Sequence, residues 1–228
     1  MKTKEMFKRI SPRYDLANRI LSGGLDTVWR KQTAALIGIG EGGKALDLCT
    51  GTGDLALEIY RQAGSAEVTG IDFCPEILEL AKKKFPEERY PGLSFIEGDV
   101  YSIPFPDNYF DAAGGGFFLR NLPDLESFMK ETFRVLKPGG RAVFVDMFPP
   151  ECLLPRLYLQ YGVPVVGWMI TGMMSDYKYL GRSILNFKST QDVMKMMEDT
   201  GFVSARCKTM FYQSPNIVWA QKPGGGGF

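Results

Sequence analysis

Between Lys44 and Phe148, five short strand-like runs are interleaved with helix-like segments, and this alternation restricts the fold more than any other feature of the 228-residue chain. KALDLCTG (44–51), EVTGIDF (67–73), LSFIEGDV (93–100), YFDAAGGGFFL (109–119) and RAVFVDMF (141–148) are rich in apolar and β-favouring residues. TGDLALEIYRQAG (52–64) places Leu55, Ile59 and Ala63 at helical spacing and closes on Gly64. PEILELAKKKF (75–85) opens on Pro75, which a first helical turn tolerates, and LESFMKETFRVL (125–136) stops at Lys137-Pro138-Gly139-Gly140. Strands joined through helices predict a mostly parallel sheet covered on both faces. A further helix around 189–200 is followed by VSARCKTMF (203–211) and NIVWAQK (216–222) with no helix between them. The expected architecture is therefore α/β, with seven strands and one antiparallel edge strand.

Residues 1–37 read as polar and helical, broken at Ser11-Pro12 and Ser22-Gly23-Gly24, and are expected to cap a domain spanning 38–223; residues 224–228 form a loose tail. The apolar stretch 153–174 contains Pro155, Arg156, Gln160 and Pro164, which makes it a poor membrane span. Lys and Arg (27) nearly balance Asp and Glu (26), and no basic stripe interrupts the balance, so nucleic acid is not an expected partner. The chain has no histidine, which removes the commonest general base and the commonest metal ligand together. Cys49, Cys74, Cys152 and Cys207 are scattered without metal-ligand spacing and read as free thiols, so no metal site is expected. The charged opening MKTKEMFKRISPRYD lacks the apolar core of a secretion signal. The expectation is a cytoplasmic chain, at most peripheral to the inner membrane, or one inside an organelle if it comes from a processed precursor.

In open α/β sheets, ligands lie beyond the carboxyl ends of the strands. Asp47-Leu-Cys-Thr-Gly51-Thr52-Gly53-Asp54 stands there, between the first strand and the first helix. Its glycines let the backbone turn sharply, and the helix start offers free N–H groups. Asp72 ends the second strand, where an acid can accept hydrogen bonds from ribose hydroxyls. The candidate cofactor set is Asp47, Gly51, Thr52, Gly53, Asp72, Phe73, Asp99, Val100 and Gly116. On the glycines alone a nicotinamide dinucleotide remains open, because alanine at position 56 stands where a third glycine would be and is tolerated there.

Three features resemble class I methyltransferases instead: the D-x-x-x-G-x-G arrangement from Asp47, Gly98-Asp99 closing the third strand, and the Arg134-Val-Leu-Lys-Pro-Gly-Gly-Arg141 run. The resemblance implies a Rossmann-like fold and S-adenosyl-L-methionine as cofactor. Along nearly its whole length the chain is also similar to the enzymes that C-methylate the ring in menaquinone and ubiquinone biosynthesis. The matching stretches are Arg13 to Asn18, Leu21-Ser22, Trp29-Arg30, Leu46 to Asp54, Ile103 to Asp111, Leu119-Arg120-Asn121, Asp176 to Leu180 and Ser183-Ile184. Two departures stand out: Phe117-Phe118 where the family usually has phenylalanine-glycine, and no histidine in the last strand.

Methyl transfer from a sulfonium needs in-line placement and an electron-rich acceptor, and a quinol ring carbon becomes one when a ring hydroxyl loses its proton. Arg120 is the leading residue for stabilising the phenolate, since a guanidinium is too weak a base to take the proton itself. The resemblance implies that Arg120 and Asn121 line the reacting ring as candidate catalytic residues, with Tyr14, Tyr177 and Tyr179 as candidate substrate contacts. Residues 153–185 are read as a lid or substrate insertion; the stretch 153–174 suits a prenyl groove or membrane-dipping lid about as well as a dimer interface or core helix. The expected partners are a prenylated quinol, transiently a membrane surface, and a second copy of the chain. Two other readings share the fold: a methyltransferase of a soluble small molecule, and a non-catalytic cofactor-binding subunit of a quinone-biosynthesis complex.

Overall fold

The computed structural model describes residues 19, 22–172, 174–210 and 215–225. Tyr14, the Arg13–Asn18 match and Met173 lie outside the described residues. In chain order the elements are α1 (Asp26–Ile37), β1 (Lys44–Leu48), α2 (Asp54–Ala63), β2 (Glu67–Asp72), α3 (Pro75–Lys84), β3 (Leu93–Glu97), β4 (Phe110–Gly116), α4 (Leu125–Val135) and β5 (Leu136–Asp146). They continue with α5 (Leu153–Leu157), a π-helical turn (Tyr158–Gly162), α6 (Val163–Thr171), α7 (Met174–Leu185), α8 (Thr190–Thr200), β6 (Val203–Thr209) and β7 (Asn216–Gln221).

Among the described residues the strands form one sheet of seven in the order β3-β2-β1-β4-β5-β7-β6. Neighbours from β3 to β5 pair parallel, and β7 pairs antiparallel with both β5 and β6. The closing hairpin stands at the edge of the sheet, as its helix-free connection predicts, with the antiparallel strand β7 one place in and β6 outermost. Lys137–Gly140 does more than stop α4: β5 begins directly at Leu136, and its pairing with β4 shifts register before Arg141.

Alternation along the central strands supplies two apolar faces. Ala45, Val143 and Val145 point to one, where they pack with Ile37 of α1, Leu55 and Ile59 of α2 and Leu78 of α3. Leu46, Leu48 and Phe144 point to the other, against Phe128 and Met129 of α4 and Val193 and Met197 of α8. Ser189 caps α8 through a reciprocal capping box with Asp192, which explains why that helix starts where it does. A third, small cluster joins Leu159 and Val163 to Tyr177 and Ile184 of α7. The run from α5 to α6 carries Pro164 one turn after Gln160. A proline there removes the amide that would bond the Gln160 carbonyl and crowds it, and the helix widens into the π-helical turn just before.

Candidate active site

The chain leaves β1 outward through β2 and β3 and returns to β4 on the other side of β1. The strand order therefore reverses between β1 and β4, which opens a crevice at their carboxyl ends. The turn filling it after β1 is held by Thr50 N–H on the Ile71 carbonyl (3.0 Å) and Gly53 N–H on the Thr50 carbonyl (3.0 Å). Gly51 and Gly53 have left-handed φ values of 57° and 83°, and so does Cys49 at 53°. A Cβ on Gly53 would come within 2.7 Å of the Phe95 ring, whereas one on Gly51 would meet nothing within 4 Å. The first position packs the turn onto the sheet; the second leaves its backbone open to a ligand. No side-chain hydrogen bond caps α2 at Gly53, the residue that ends this turn.

Asp47 sits inside β1 and not in the turn, 1% exposed. Its Oδ2 accepts from Thr50 Oγ1 at 2.6 Å, while Oδ1 has no hydrogen-bond partner among the described residues. Burial pushes its carboxyl up to about 7. Asp72, also buried, accepts from Gly51 N–H through Oδ2 and from Cys74 N–H through Oδ1, both at 3.0 Å. Burial raises its carboxyl too, against the opposing effect of those amides. Thr52 is buried in the turn, and Phe73 is exposed at the mouth of the crevice. Asp99 is exposed beyond β3, where its Oδ1 accepts from Tyr101 N–H at 2.9 Å, and Val100 is buried behind it. Three segments meet at Cys49: burial raises its thiol, and the charges of Asp72, Asp47 and Asp99 push it the same way. Gly116 ends β4, half-buried against Val145.

This frame fits S-adenosyl-L-methionine. Asp47 Oδ1 is a buried acceptor that would take the ammonium group, and the start of α2 would suit the carboxylate. Asp72 keeps lone pairs for the ribose diol, with Phe73, Asp99 and Val100 toward the base.

Across the crevice, Phe117 leaves β4 with φ 66°, a left-handed conformation for a non-glycine residue. It directs the chain into the 3₁₀ turn Leu119–Asn121. Phe118, at an ordinary φ of −124°, packs edge-on to Phe128 and Phe144. A Cβ on Gly115 would lie 2.4 Å from the Phe118 ring. The glycine thus makes the room that the second phenylalanine fills, which accounts for Phe117-Phe118 in this chain. Arg120 follows, its side chain 9% exposed. Its Nη1 donates to the Phe117 carbonyl at 2.9 Å and pairs with Asp146, which is fully buried at the end of β5. Its Nε is buried without a hydrogen-bond partner among the described residues.

Arg120 lines a cavity of about 130 Å³ with Phe117, Met147, Asp26, Trp29 and Arg30, roofed by Tyr158, Leu159, Val163, Leu180 and Ile184. An apolar cavity near 150 Å³ accepts benzene, so this one matches roughly a single aromatic ring. Asn121 is not among the residues lining it: its Oδ1 accepts from Tyr179 Oη at 3.2 Å, and Tyr179 lines an adjacent groove with Arg120, Leu122 and Arg182. Tyr177 is buried with its ring against Gly167 of α6, outside both walls. Two residues here lie beyond the reach of motif reading, one paired with Arg120 and one in the cavity wall. Asp146 is one. Asp26 is the other, although Asp26-x-x-Trp29-Arg30 lies at one-face helical spacing and carries a usable signal.

The model of the ubiE/COQ5 methyltransferase family matches residues 1–215. A ubiquinone/menaquinone biosynthesis C-methyltransferase UbiE of Desulfotalea psychrophila is 38% identical over 223 residues, 96% of this chain and 89% of that one. A demethylmenaquinone methyltransferase of Thermus thermophilus is 42% identical over 201 residues, 86% of this chain and 91% of that one. Among solved structures, a SAM-dependent methyltransferase of Aquifex aeolicus superposes with a TM-score of 0.63 at 21% identity, covering 84% of this chain and 88% of that chain, a likeness of fold.

Proposed function

The chain belongs to the ubiE/COQ5 methyltransferase family, and from that premise we propose that it is an S-adenosyl-L-methionine-dependent enzyme that methylates a ring carbon of a prenylated quinol. When bound, the cofactor supplies a methyl group already activated for transfer. The work of this chain is to hold the acceptor carbon in line and to stabilise the phenolate that makes it nucleophilic.

Arg120 carries this reading. It is nine-tenths buried in the wall of a ring-sized cavity, committed through Nη1 to Phe117 and Asp146, and its Nε–H has no partner among the described residues. A fixed, desolvated donor of this kind favours an anionic oxygen far more than a neutral one. The proton itself leaves to water, since a guanidinium is already charged and cannot accept it. Tyr179 shares the adjacent groove with the same arginine and donates to Asn121, the next residue in the chain. Tyr177 acts by packing α7 under α6. Residues 153–185 serve as the lid over the ring, and α1 supplies another wall through Asp26, Trp29 and Arg30. The exposed side chains of α5 and α6, among them Leu154, Trp168 and Met169, suit contact with the bilayer that holds a prenylated acceptor.

The test incubates the protein with methyl-labelled S-adenosyl-L-methionine and reduced demethylated naphthoquinol or benzoquinol. Label is expected on a ring carbon. Arg120→Lys, which keeps the charge beside Asp146 but loses the guanidinium fork, is expected to lower kcat about 10²-fold with cofactor binding unchanged. No incorporation with either ring, or full activity in Arg120→Lys, would overturn the assignment.

A further inference from the structure

The ring-sized cavity has a second charged wall. At the start of α1, Asp26 (5% exposed) pairs through Oδ2 with Arg30, and among the described residues its Oδ1 accepts a long 3.2 Å bond from Ser22 Oγ. One residue links the two ion pairs: the Arg30 guanidinium carbon lies 5.7 Å from the centroid of the Phe117 ring, and Arg120 holds the Phe117 carbonyl. Asp146 lies behind Arg120 and takes no part in the lining, so Asp26 is the carboxylate that the cavity presents among the described residues.

We propose that Asp26 is a specificity residue that reads the oxidation state of the acceptor ring, accepting a hydrogen bond from a ring hydroxyl and rejecting the carbonyl that stands there in the oxidised quinone. The inference rests on the quinol reading above and adds to it a second contact, at the other ring oxygen from the one Arg120 stabilises. A carboxylate kept in an ion pair has acceptor sites only. Against a hydroxyl it completes a hydrogen bond; against a carbonyl it sets two oxygens with lone pairs face to face in a desolvated wall. A neutral ring contact could not make that distinction, because quinol and quinone have nearly the same shape. Trp29, one turn along the same helix face and 6.2 Å from Phe117 between ring centroids, is placed to stack beside the ring and does not discriminate.

The experiment uses the full chain with S-adenosylhomocysteine present, so that no methyl is transferred, and a short-tailed demethylated naphthoquinone held either oxidised or anaerobically reduced. Binding of each form is measured by calorimetry. The native protein is expected to bind the reduced ring at least about tenfold more tightly. Asp26→Asn offers an amide donor in the same place and is expected to bring the ratio close to one, chiefly by tightening the oxidised form, with S-adenosylhomocysteine affinity within twofold of native. Because an unpaired Arg30 can destabilise the helix, Asp26→Asn with Arg30→Gln is tested alongside and should give the same ratio. Asp26→Glu should preserve the preference. A tenfold preference that survives in the folded double variant, or its absence from the native protein, would overturn the role of Asp26 while leaving ring methylation intact. A native protein that binds the cofactor product but neither ring form would overturn the acceptor reading itself, and this inference with it.

Discussion

Asp47 is a carboxylate whose surroundings favour the neutral form: it is 1% exposed, and burial pushes it up to about 7. Between about pH 4 and 7 the folded chain therefore holds a proton that the unfolded chain releases, so this group's contribution to stability falls as pH rises through that window. A bound ammonium reverses the preference. Cofactor affinity measured by calorimetry is expected to rise about tenfold from pH 6 to pH 8, following ionisation of the acid. Asp47→Asn should flatten that rise, weaken binding at pH 8, and raise the melting temperature of the ligand-free protein there. A variant that binds as tightly as native at pH 8 would remove Asp47 from the cofactor site. The acid and the two glycines were legible in sequence because their spacing is local. The buried, half-satisfied state of Asp47 was not, because it depends on α2 and β2 closing over the strand.

Helix α6 illustrates the middle scale. Its composition reads as apolar throughout, which leaves core, lid, interface and membrane contact equally open. Packing divides it: Val163 is buried toward α7, whereas Trp168 is 52% and Met169 74% exposed, and Leu154 on α5 is 79% exposed. No helix among the described residues is long and apolar enough to cross a membrane, and an outward apolar face of this kind suits the proposed contact with a bilayer surface. Replacing Leu154, Trp168 and Met169 by serine is expected to lower co-sedimentation with anionic liposomes several-fold, while turnover of a short-tailed quinol stays near native. Unchanged liposome binding would remove the membrane role, and a dimer that becomes a monomer would assign the face to a second copy instead.

At the scale of the whole molecule, the sheet order reverses between β1 and β4 and opens one crevice, to which the proposed assignment gives both cofactor and acceptor. Ligand binding to that crevice is linked to global unfolding. S-adenosyl-L-methionine at 100 times its Kd should stabilise the protein by about 2.7 kcal/mol. For a chain of this length that is a rise in Tm of roughly 5–10 °C in a thermal-shift assay. NADH should give no rise, and a comparable NADH shift would revive the dinucleotide reading that the glycines alone allow.

By itself the sequence determined the alternation of strands and helices, the position of the glycine turn, Asp72 at a strand end, and Arg120 after the fourth strand. All of these rest on periodicity and turn chemistry acting over a few residues. Only the tertiary structure decided that β7 stands one place inside the edge, that Asp146 holds Arg120, and that Asp26 faces the same cavity from α1. Those contacts join segments that lie well apart along the chain. They exist because both faces of the sheet must be covered, and no local pattern records which distant side chains that covering brings together.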